Sequence, residues 1–332
     1  MRISIITPSF NQAAYLEDTI RSVLAQDYPH LEYLIVDGGS TDGSADIIRR
    51  YEHQLAWWVS ERDHGQADAI NKGLRRATGE IVAWLNSDDF YLPDALFGAV
   101  AAFQVDPNLA LVYGNAISVN PLGRPLNRFV FGNWGLDDFL RFRIICQPAV
   151  FMRRAAVLEA GLLDETYHFL LDHHLWIRLA RLGNVQHIPL YWAAARQHPQ
   201  AKNVAQAARF GEEAYRILDW AQTQPDLAAR IQHNARAVWG GAHRLNARYL
   251  LDGGAAAQSL WAYARAFANA PAYAMQHWHR MAFAALSLVG LRRVGEWYQQ
   301  RRTQPPPDLS SDPRLQRWQG LKLPGTPAVA RE

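Results

Sequence analysis

Residues 81–90 read Ile-Val-Ala-Trp-Leu-Asn-Ser-Asp-Asp-Phe. The first five are apolar and rich in strand formers, the composition of a buried β-strand. The chain then turns polar at once, and adjacent carboxylates at a strand end suit a divalent metal or another cation. Taken alone, Asp88-Asp89 would serve as well to cap the helix that begins near Pro93. Two further polar clusters also follow apolar strands, however, and open α/β sheets bind ligands at the C-terminal ends of their strands.

On both sides of this stretch, short β-rich runs alternate with helical patterns. The pairs are 3–6 with 15–26, 33–36 with 44–51, 57–59 with 67–77, and 81–85 with 93–103, followed by a strand at 109–113. That order predicts parallel βαβ units and a mostly parallel, Rossmann-like sheet flanked by helices. Residues 120–133, rich in Pro, Gly and Arg, read as a loop or irregular hairpin. A strand at 148–152, a helix at 172–182 and short strands at 185–188 and 191–194 complete a catalytic domain over 1–203. Beyond it strand signals vanish, and amphipathic patterns at 205–220, 227–251 and 255–268 predict a helical subdomain over 204–302, the last two able to pair as a hairpin. Residues 303–332 carry Pro305-Pro306-Pro307 and three more prolines among polar residues, a loosely ordered tail by composition.

A length of 332 residues fits an α/β domain with an appendage, and 49% hydrophobic residues supply ample core. A net charge of +3 and a pI near 9.0 fit an anionic substrate or a membrane surface, and fall short of a nucleic-acid footprint. The single cysteine, Cys146, excludes an intramolecular disulfide and lies in an apolar run suited to core packing. A strand from residue 2 leaves no room for a signal peptide, so a cytoplasmic location is expected. No window approaches the roughly 18 apolar residues of a spanning helix. The nearest, 281–291, is short and bracketed by Arg280, Arg292 and Arg293.

The first strand runs into Thr7-Pro8-Ser9-Phe10-Asn11 and the second into Val36-Asp37-Gly38-Gly39-Ser40-Thr41-Asp42-Gly43. Paired glycines let backbone approach a ligand, and Asp37 can accept hydrogen bonds from a base or sugar, while Asp42 reads as a helix cap. A third cluster, residues 63–73, opens a helix with Asp68, Asn71 and Lys72 on one face. Helix N-terminal amides there favour an anion, and an Asp68–Lys72 surface ion pair explains the same spacing equally well.

Together TPSFNQAAYL, VDGGSTDGS, DHGQADAINKGLRRATGE and WLNSDD, in that order, resemble the family 2 glycosyltransferases of the GT-A fold over residues 2 to about 200. The resemblance implies that Thr7, Pro8 and Phe10, with Asp37, hold the nucleotide base, and that Asp68 and Asn71 border the nucleoside. Asn86 stands at the first position of the family's Asp-x-Asp motif and Asp88 at the last. Asp88 is then the ligand to Mg²⁺ or Mn²⁺, Asn86 keeps a hydrogen bond to the ribose, and Asp89 restores part of the missing charge. Arg196-Gln197-His198 resembles the family's Arg-x-His element, with Arg196 near the diphosphate and His198 on the metal or a phosphate. Asp172, before Leu175-Trp176-Ile177-Arg178-Leu179, matches the family's general base. His173 and His174 point about 100° apart on a helix and do not share an ion.

The implied activity is inverting transfer of a sugar from a nucleotide-diphosphate sugar, expected to be a UDP-sugar, to a hydroxyl of a saccharide or lipid-linked saccharide. A nucleotidyltransferase would carry a Gly-rich basic loop after the first strand, which Thr7-Pro8-Ser9-Phe10-Asn11 is not. Trp134 and Phe139 are candidates for sugar stacking, Phe139 better suited to the core. Aromatic and basic residues across 273–302 fit a helix lying in a membrane interface at the inner face of the plasma membrane, or one packed on the catalytic domain.

Overall fold

The computed structural model describes residues 1–291 and residue 293. Its strands are β1 (Ile3–Ser9), β2 (Leu31–Asp37), β3 (Trp57–Ser60), β4 (Ile81–Trp84), β5 (Phe90–Tyr91), β6 (Leu109–Val119), β7 (Pro125–Phe129), β8 (Val150–Arg153) and β9 (Asn184–Arg196). The helices of the α/β part are α1 (Ala13–Leu24), α2 (Ser44–Arg50), α3 (Gln66–Arg76), α4 (Ala95–Val105), α5 (Leu136–Leu140), α6 (Arg154–Glu159) and α7 (Leu171–Leu182). After β9 come α8 (Lys202–Ala205), α9 (Phe210–Gln222), α10 (Pro225–His233), α11 (Ala235–Asp252), α12 (Ala256–Asn269), α13 (Pro271–Met275) and α14 (Trp278–Leu288).

One sheet runs β3-β2-β1-β4-β8-β6-β9-β5, with β7 hydrogen-bonded to β6. Strands β3, β2, β1 and β4 are mutually parallel, as the alternation of elements predicts. The second half is mixed, because β8 pairs antiparallel with both β4 and β6. Residues 120–133 supply the antiparallel β6–β7 hairpin. The two short strands expected at 185–188 and 191–194 are one strand, β9, parallel to β6. Ile188 and Tyr191 face the successive residues Gly114 and Asn115, so Pro189 and Leu190 are bulged out of the ladder. A proline cannot donate to a ladder, and a bulge is where a strand tolerates one.

Alternation along the parallel strands builds two buried layers. Ile3, Ile5, Ile35, Ile81 and Ala83 pack with Leu16 and Ile20 of α1 and Leu96 and Phe103 of α4. Ile6, Val36, Val82 and Trp84 pack on the other face with Ile70 and Leu74 of α3 and Leu175, Trp176 and Leu179 of α7. Trp84 stacks on Trp176 at 5.3 Å between ring centroids, which ties the strand before the acidic turn to the helix that starts beside Asp172. Phe139 is fully buried in this layer, and Trp134 is half-buried beneath Arg143.

The second layer continues past residue 203: Phe210, Ala214, Ile217 and Leu218 of α9 and Val238, Ala242 and Leu245 of α11 belong to it. The pattern expected as one helix over 227–251 breaks at Asn234, whose side chain accepts from Arg141 (3.1 Å) and donates to the Arg230 carbonyl (3.4 Å). Helices α11 and α12 form the expected hairpin, joined by Ser259 Oγ donating to the Ala247 carbonyl (2.7 Å). No helix among the described residues is long and apolar enough to cross a membrane. The expected tail at 303–332, residue 292 and residues 294–302 of the aromatic-basic segment lie outside the described residues.

Candidate active site

After β4 the chain turns through Asn86–Asp89 into β5, closed by the Asp89 amide donating to the Asn86 carbonyl (3.1 Å). The two carboxylates of this turn differ in environment. Asp89 is buried, its Oδ1 accepts from the Arg196 amide (2.9 Å), and Thr19 donates to its carbonyl (2.6 Å). Burial, and then the neighbouring Asp88 charge, push its carboxyl well above the ordinary range. Asp88 keeps a side chain 19% exposed, with Oδ2 2.9 Å from Nε2 of His198. That bond raises the His198 pKa above the ordinary histidine value, and the ring packs against Tyr15 at 4.8 Å.

Arg196 is committed on every side. Nε donates to the Asp88 carbonyl (2.9 Å), Nη1 to the Pro121 carbonyl (2.6 Å) and Nη2 to Asp18 (2.9 Å), over the Tyr15 ring. Asn86 is also held, accepting from Gln66 Nε2 (2.8 Å) and donating to Gln147 Oε1 (3.1 Å). Asp88 and His198 offer a carboxylate oxygen and an imidazole nitrogen, a donor set that suits a divalent cation whose other positions take oxygen. No three ligating side chains converge among the described residues.

At the ends of β1 and β2, Asp37 accepts from Ser40 Oγ (2.6 Å), the Ser40 amide (2.9 Å) and Ser60 Oγ (2.7 Å). Gly39 takes φ +81°, a left-handed backbone, and a Cβ at Gly38 would collide with the Asp63 carboxylate. Here the glycine makes room for a neighbouring side chain of the same protein. Thr7 and Pro8 are buried in the β1 ladder, Thr7 Oγ1 lies 3.0 Å from the Tyr33 hydroxyl, and Phe10 is 59% exposed at the rim. Asp42 caps α1 by accepting from the Ala13 amide (2.8 Å). On α3, Asp68 is buried, accepts from the His64 amide (3.0 Å) and lies 3.4 Å from Lys72, so the ion pair, one of the two readings of the spacing, forms on a buried carboxylate, with Glu61 nearer to Lys72 at 3.0 Å. Asn71 is buried and fully used: it accepts from the Leu163 amide (3.0 Å) and donates to the Leu163 carbonyl (2.9 Å) and Glu165 (3.1 Å).

Asp172 sits in the first turn of α7 and accepts from the His173 amide (2.7 Å). Burial lifts its carboxyl to about 6. Lys202 stays solvent-accessible, donating to Gln66 Oε1 (2.8 Å) and the His168 carbonyl (3.2 Å). The surrounding walls lower its pKa, and the charges of Glu213, Asp172 and Asp88 oppose that shift. The Cys146 thiol is pushed up by burial and by both Asp89 and Asp172, which keeps it a neutral packing group. Asp172 and the acidic turn therefore share one electrostatic neighbourhood. His173 and His174 are buried beside it, the first bonded to the Phe139 carbonyl (2.9 Å), the second between Tyr167 and Trp220. Burial lowers them to about 4 and about 3, so both are neutral at physiological pH.

Three side chains at this site escaped the sequence reading: Gln66, Lys202 and Glu213. Glu213 had a signal, a lone charge on the stripe Phe210, Ala214, Ile217, Leu218 that α9 buries. Gln66 lies inside the quoted segment DHGQADAINKGLRRATGE without being singled out there, and Lys202 had no signal, since its partners come from distant parts of the chain.

A half-parallel, half-mixed sheet flanked by helices, with an acidic turn after the fourth strand and a helical C-terminal part, is the architecture of the GT-A class. Residues 4–157 match the family model described as glycosyl transferase family 2. A PGL/p-HBAD biosynthesis glycosyltransferase of Mycobacterium tuberculosis is 34% identical over 180 residues, covering 53% of this chain and 68% of that protein. The putative teichuronic acid biosynthesis glycosyltransferase TuaG of Bacillus subtilis is 39% identical over 148 residues, 43% of this chain and 58% of that one. Among solved structures, S. aureus TarS 1–349 superposes with a TM-score of 0.60 at 18% identity, covering 90% of this chain and 92% of that chain. Mannosyltransferase PcManGT from Pyrobaculum calidifontis gives 0.58 at 22%, covering 91% and 84%. The chain belongs to glycosyl transferase family 2, and the match spans little more than half the length of TuaG.

Proposed function

We propose that the chain transfers one sugar from a nucleotide-diphosphate sugar, a UDP-sugar by preference, to a hydroxyl of a surface polysaccharide or glycolipid, in one inverting displacement with Asp172 as general base. The observation that carries this reading is a run of hydrogen bonds from the acidic turn to the segment before α7, Asn86 to Gln66 (2.8 Å), Gln66 to Lys202 (2.8 Å) and Lys202 to the His168 carbonyl (3.2 Å), which supports a base and a candidate cation site serving one substrate. TarS has been solved in complex with UDP-GlcNAc, and a curated relative is named poly-beta-1,6-N-acetyl-D-glucosamine synthase, both in keeping with such a donor and acceptor.

In this reading the ends of β1 and β2 receive the nucleotide, with Phe10 at the rim, and Asp37, fully buried, shapes that end through Ser40 and Ser60. Asp88 and His198 would hold Mg²⁺ or Mn²⁺, which when bound neutralises charge on the departing diphosphate. Asp89 is buried against the Arg196 amide, and Arg196 gives three N–H donors to the Asp88 and Pro121 carbonyls and Asp18, so we assign both first to holding the turn, with the metal and diphosphate contacts expected of them as a further role. Asn71 likewise braces the 163–165 segment. An acceptor hydroxyl loses its proton to Asp172 as its oxygen attacks the anomeric carbon, and the carbon–oxygen bond to the diphosphate breaks on the opposite face. A carboxyl lifted to about 6 is ionised at neutral pH and still basic enough to take that proton. Exposed Trp261, Phe267, Trp278, Leu288 and Val289 on and beside α12 and α14 support peripheral contact of this helical end with the inner face of the plasma membrane.

Asp172→Asn tests the assignment. Binding of UDP with Mn²⁺, measured by calorimetry, is expected to persist while nucleoside-diphosphate release falls on the order of 10²- to 10⁴-fold. Unchanged turnover would overturn it.

A further inference from the structure

We infer that Glu213, on α9 and outside the segment that matches the family model, is a positioning residue that sets the placement of Asp172. The inference rests on the reading of Asp172 as the base. Glu213 is 4% exposed, and its carboxylate accepts from three consecutive backbone amides, His168 (2.6 Å), Phe169 (2.8 Å) and Leu170 (2.7 Å). These amides form the neck of α7, whose first helical bond runs from the His174 amide to the Leu170 carbonyl (2.9 Å). Amides at a helix start have no carbonyl partner of their own, and a carboxylate there is favoured by the helix dipole. Lys202 holds the same neck from its other side through the His168 carbonyl. The base thus hangs from a short segment whose anchors both lie after residue 200.

Glu213 does a second thing to Asp172. Burial is the main cause that raises the Asp172 carboxyl, and the His173 amide and its own amide lower it. Of the charged groups Glu213 on α9 raises it and Lys202 on α8 lowers it, while Cys146 before β8 and Tyr249 on α11 feel its charge in turn. Of the two charges acting on it, Glu213 is the negative one, so it disfavours the Asp172 carboxylate and keeps the base more basic. A brace alone would do only the first of these jobs.

The full-length variants Glu213→Gln and Asp172→Asn separate the possibilities. Nucleoside-diphosphate release would be followed across pH at saturating Mn²⁺, with the UDP- or GDP-sugar that the unaltered protein hydrolyses fastest. We expect Glu213→Gln to lower kcat about 10- to 100-fold, as a displacement near 1 Å does, with the donor KM within about twofold. We also expect the acid limb to move to lower pH, because a charge facing the base is gone. A purely structural brace would lower the melting temperature and the active fraction and leave that limb in place. Hydrogen exchange on the unaltered protein needs no variant: amides of 168–170 should exchange slowly although they precede the helix. Free exchange there, or wild-type kcat and acid limb in Glu213→Gln beside an inactive Asp172→Asn, overturns this inference alone. An active Asp172→Asn overturns the base reading, and this inference with it.

Discussion

The ends of β1 and β2 and the neck of α7 each hold a carboxylate, Asp37 and Asp172, and they fix it by opposite means. Asp37 is held by Ser40, three residues on, and by Ser60 on the neighbouring strand, within one βαβ unit. The segment that carries Asp172 is held by Glu213, 43 to 45 residues further along, on a helix outside the α/β sheet. Geometry made locally leaves a spaced motif in the sequence, whereas geometry made across the fold leaves isolated residues that look like surface or core. The ends of β1 and β2 are therefore spelled out in consecutive letters, and the neck of α7 has to be assembled before it can be read.

The comparison breaks most visibly at the acidic turn. Asp88→Ala should lower nucleoside-diphosphate release on the order of 100-fold or more and abolish its response to added Mn²⁺, since the carboxylate is one of two side-chain donors offered to a cation. A variant still stimulated by Mn²⁺ would show that the cation is held elsewhere. At Asp172 the effect is graded. With the carboxyl at about 6 and saturating Mn²⁺, kcat should fall about tenfold per pH unit below that point and level off above it.

Stability should run the other way at the same residue. A carboxyl raised from 3.8 to about 6 binds its proton more tightly in the folded protein, so its stabilising contribution is present below about pH 4 and is lost as pH rises through 6. Asp172→Asn should accordingly be more stable than the unaltered protein at pH 7, by up to about 3 kcal/mol, and equal to it near pH 4. Equal denaturation midpoints at both pH values would mean that the carboxylate is not desolvated.

The smallest effect on chemistry is expected at the outer helices. Replacing Trp261 and Trp278 with Ala should leave hydrolysis of the donor within about twofold while liposome flotation of the protein weakens, in keeping with their exposure of 67% and 58%. Flotation unaffected by the double replacement, or absent from the unaltered protein, would remove the membrane reading.

How far the sequence could be read follows the same division. The inner parallel strands were legible because burial on both faces leaves short apolar runs along them, as in residues 33–36 of β2 and Ile81–Trp84 of β4. The mixed half was harder, for β8 and β9 are placed by pairing partners that no local pattern names. The break at Asn234 interrupts a run whose apolar periodicity continues unchanged, and depends on Arg141 from another part of the chain. The site followed suit. Asp88 and Asp89 are adjacent and identical, yet one faces His198 and the other the Arg196 amide. Arg196, a cation expected near phosphates, gives three of its five N–H donors to two carbonyls and Asp18 of the same protein.

The central claim is a single displacement assisted by one base, with the diphosphate leaving from the opposite face of the sugar. The anomeric configuration of the product, read by proton NMR during the first turnovers, tests it most directly. Inversion relative to the donor is the predicted result, and retention would contradict the account.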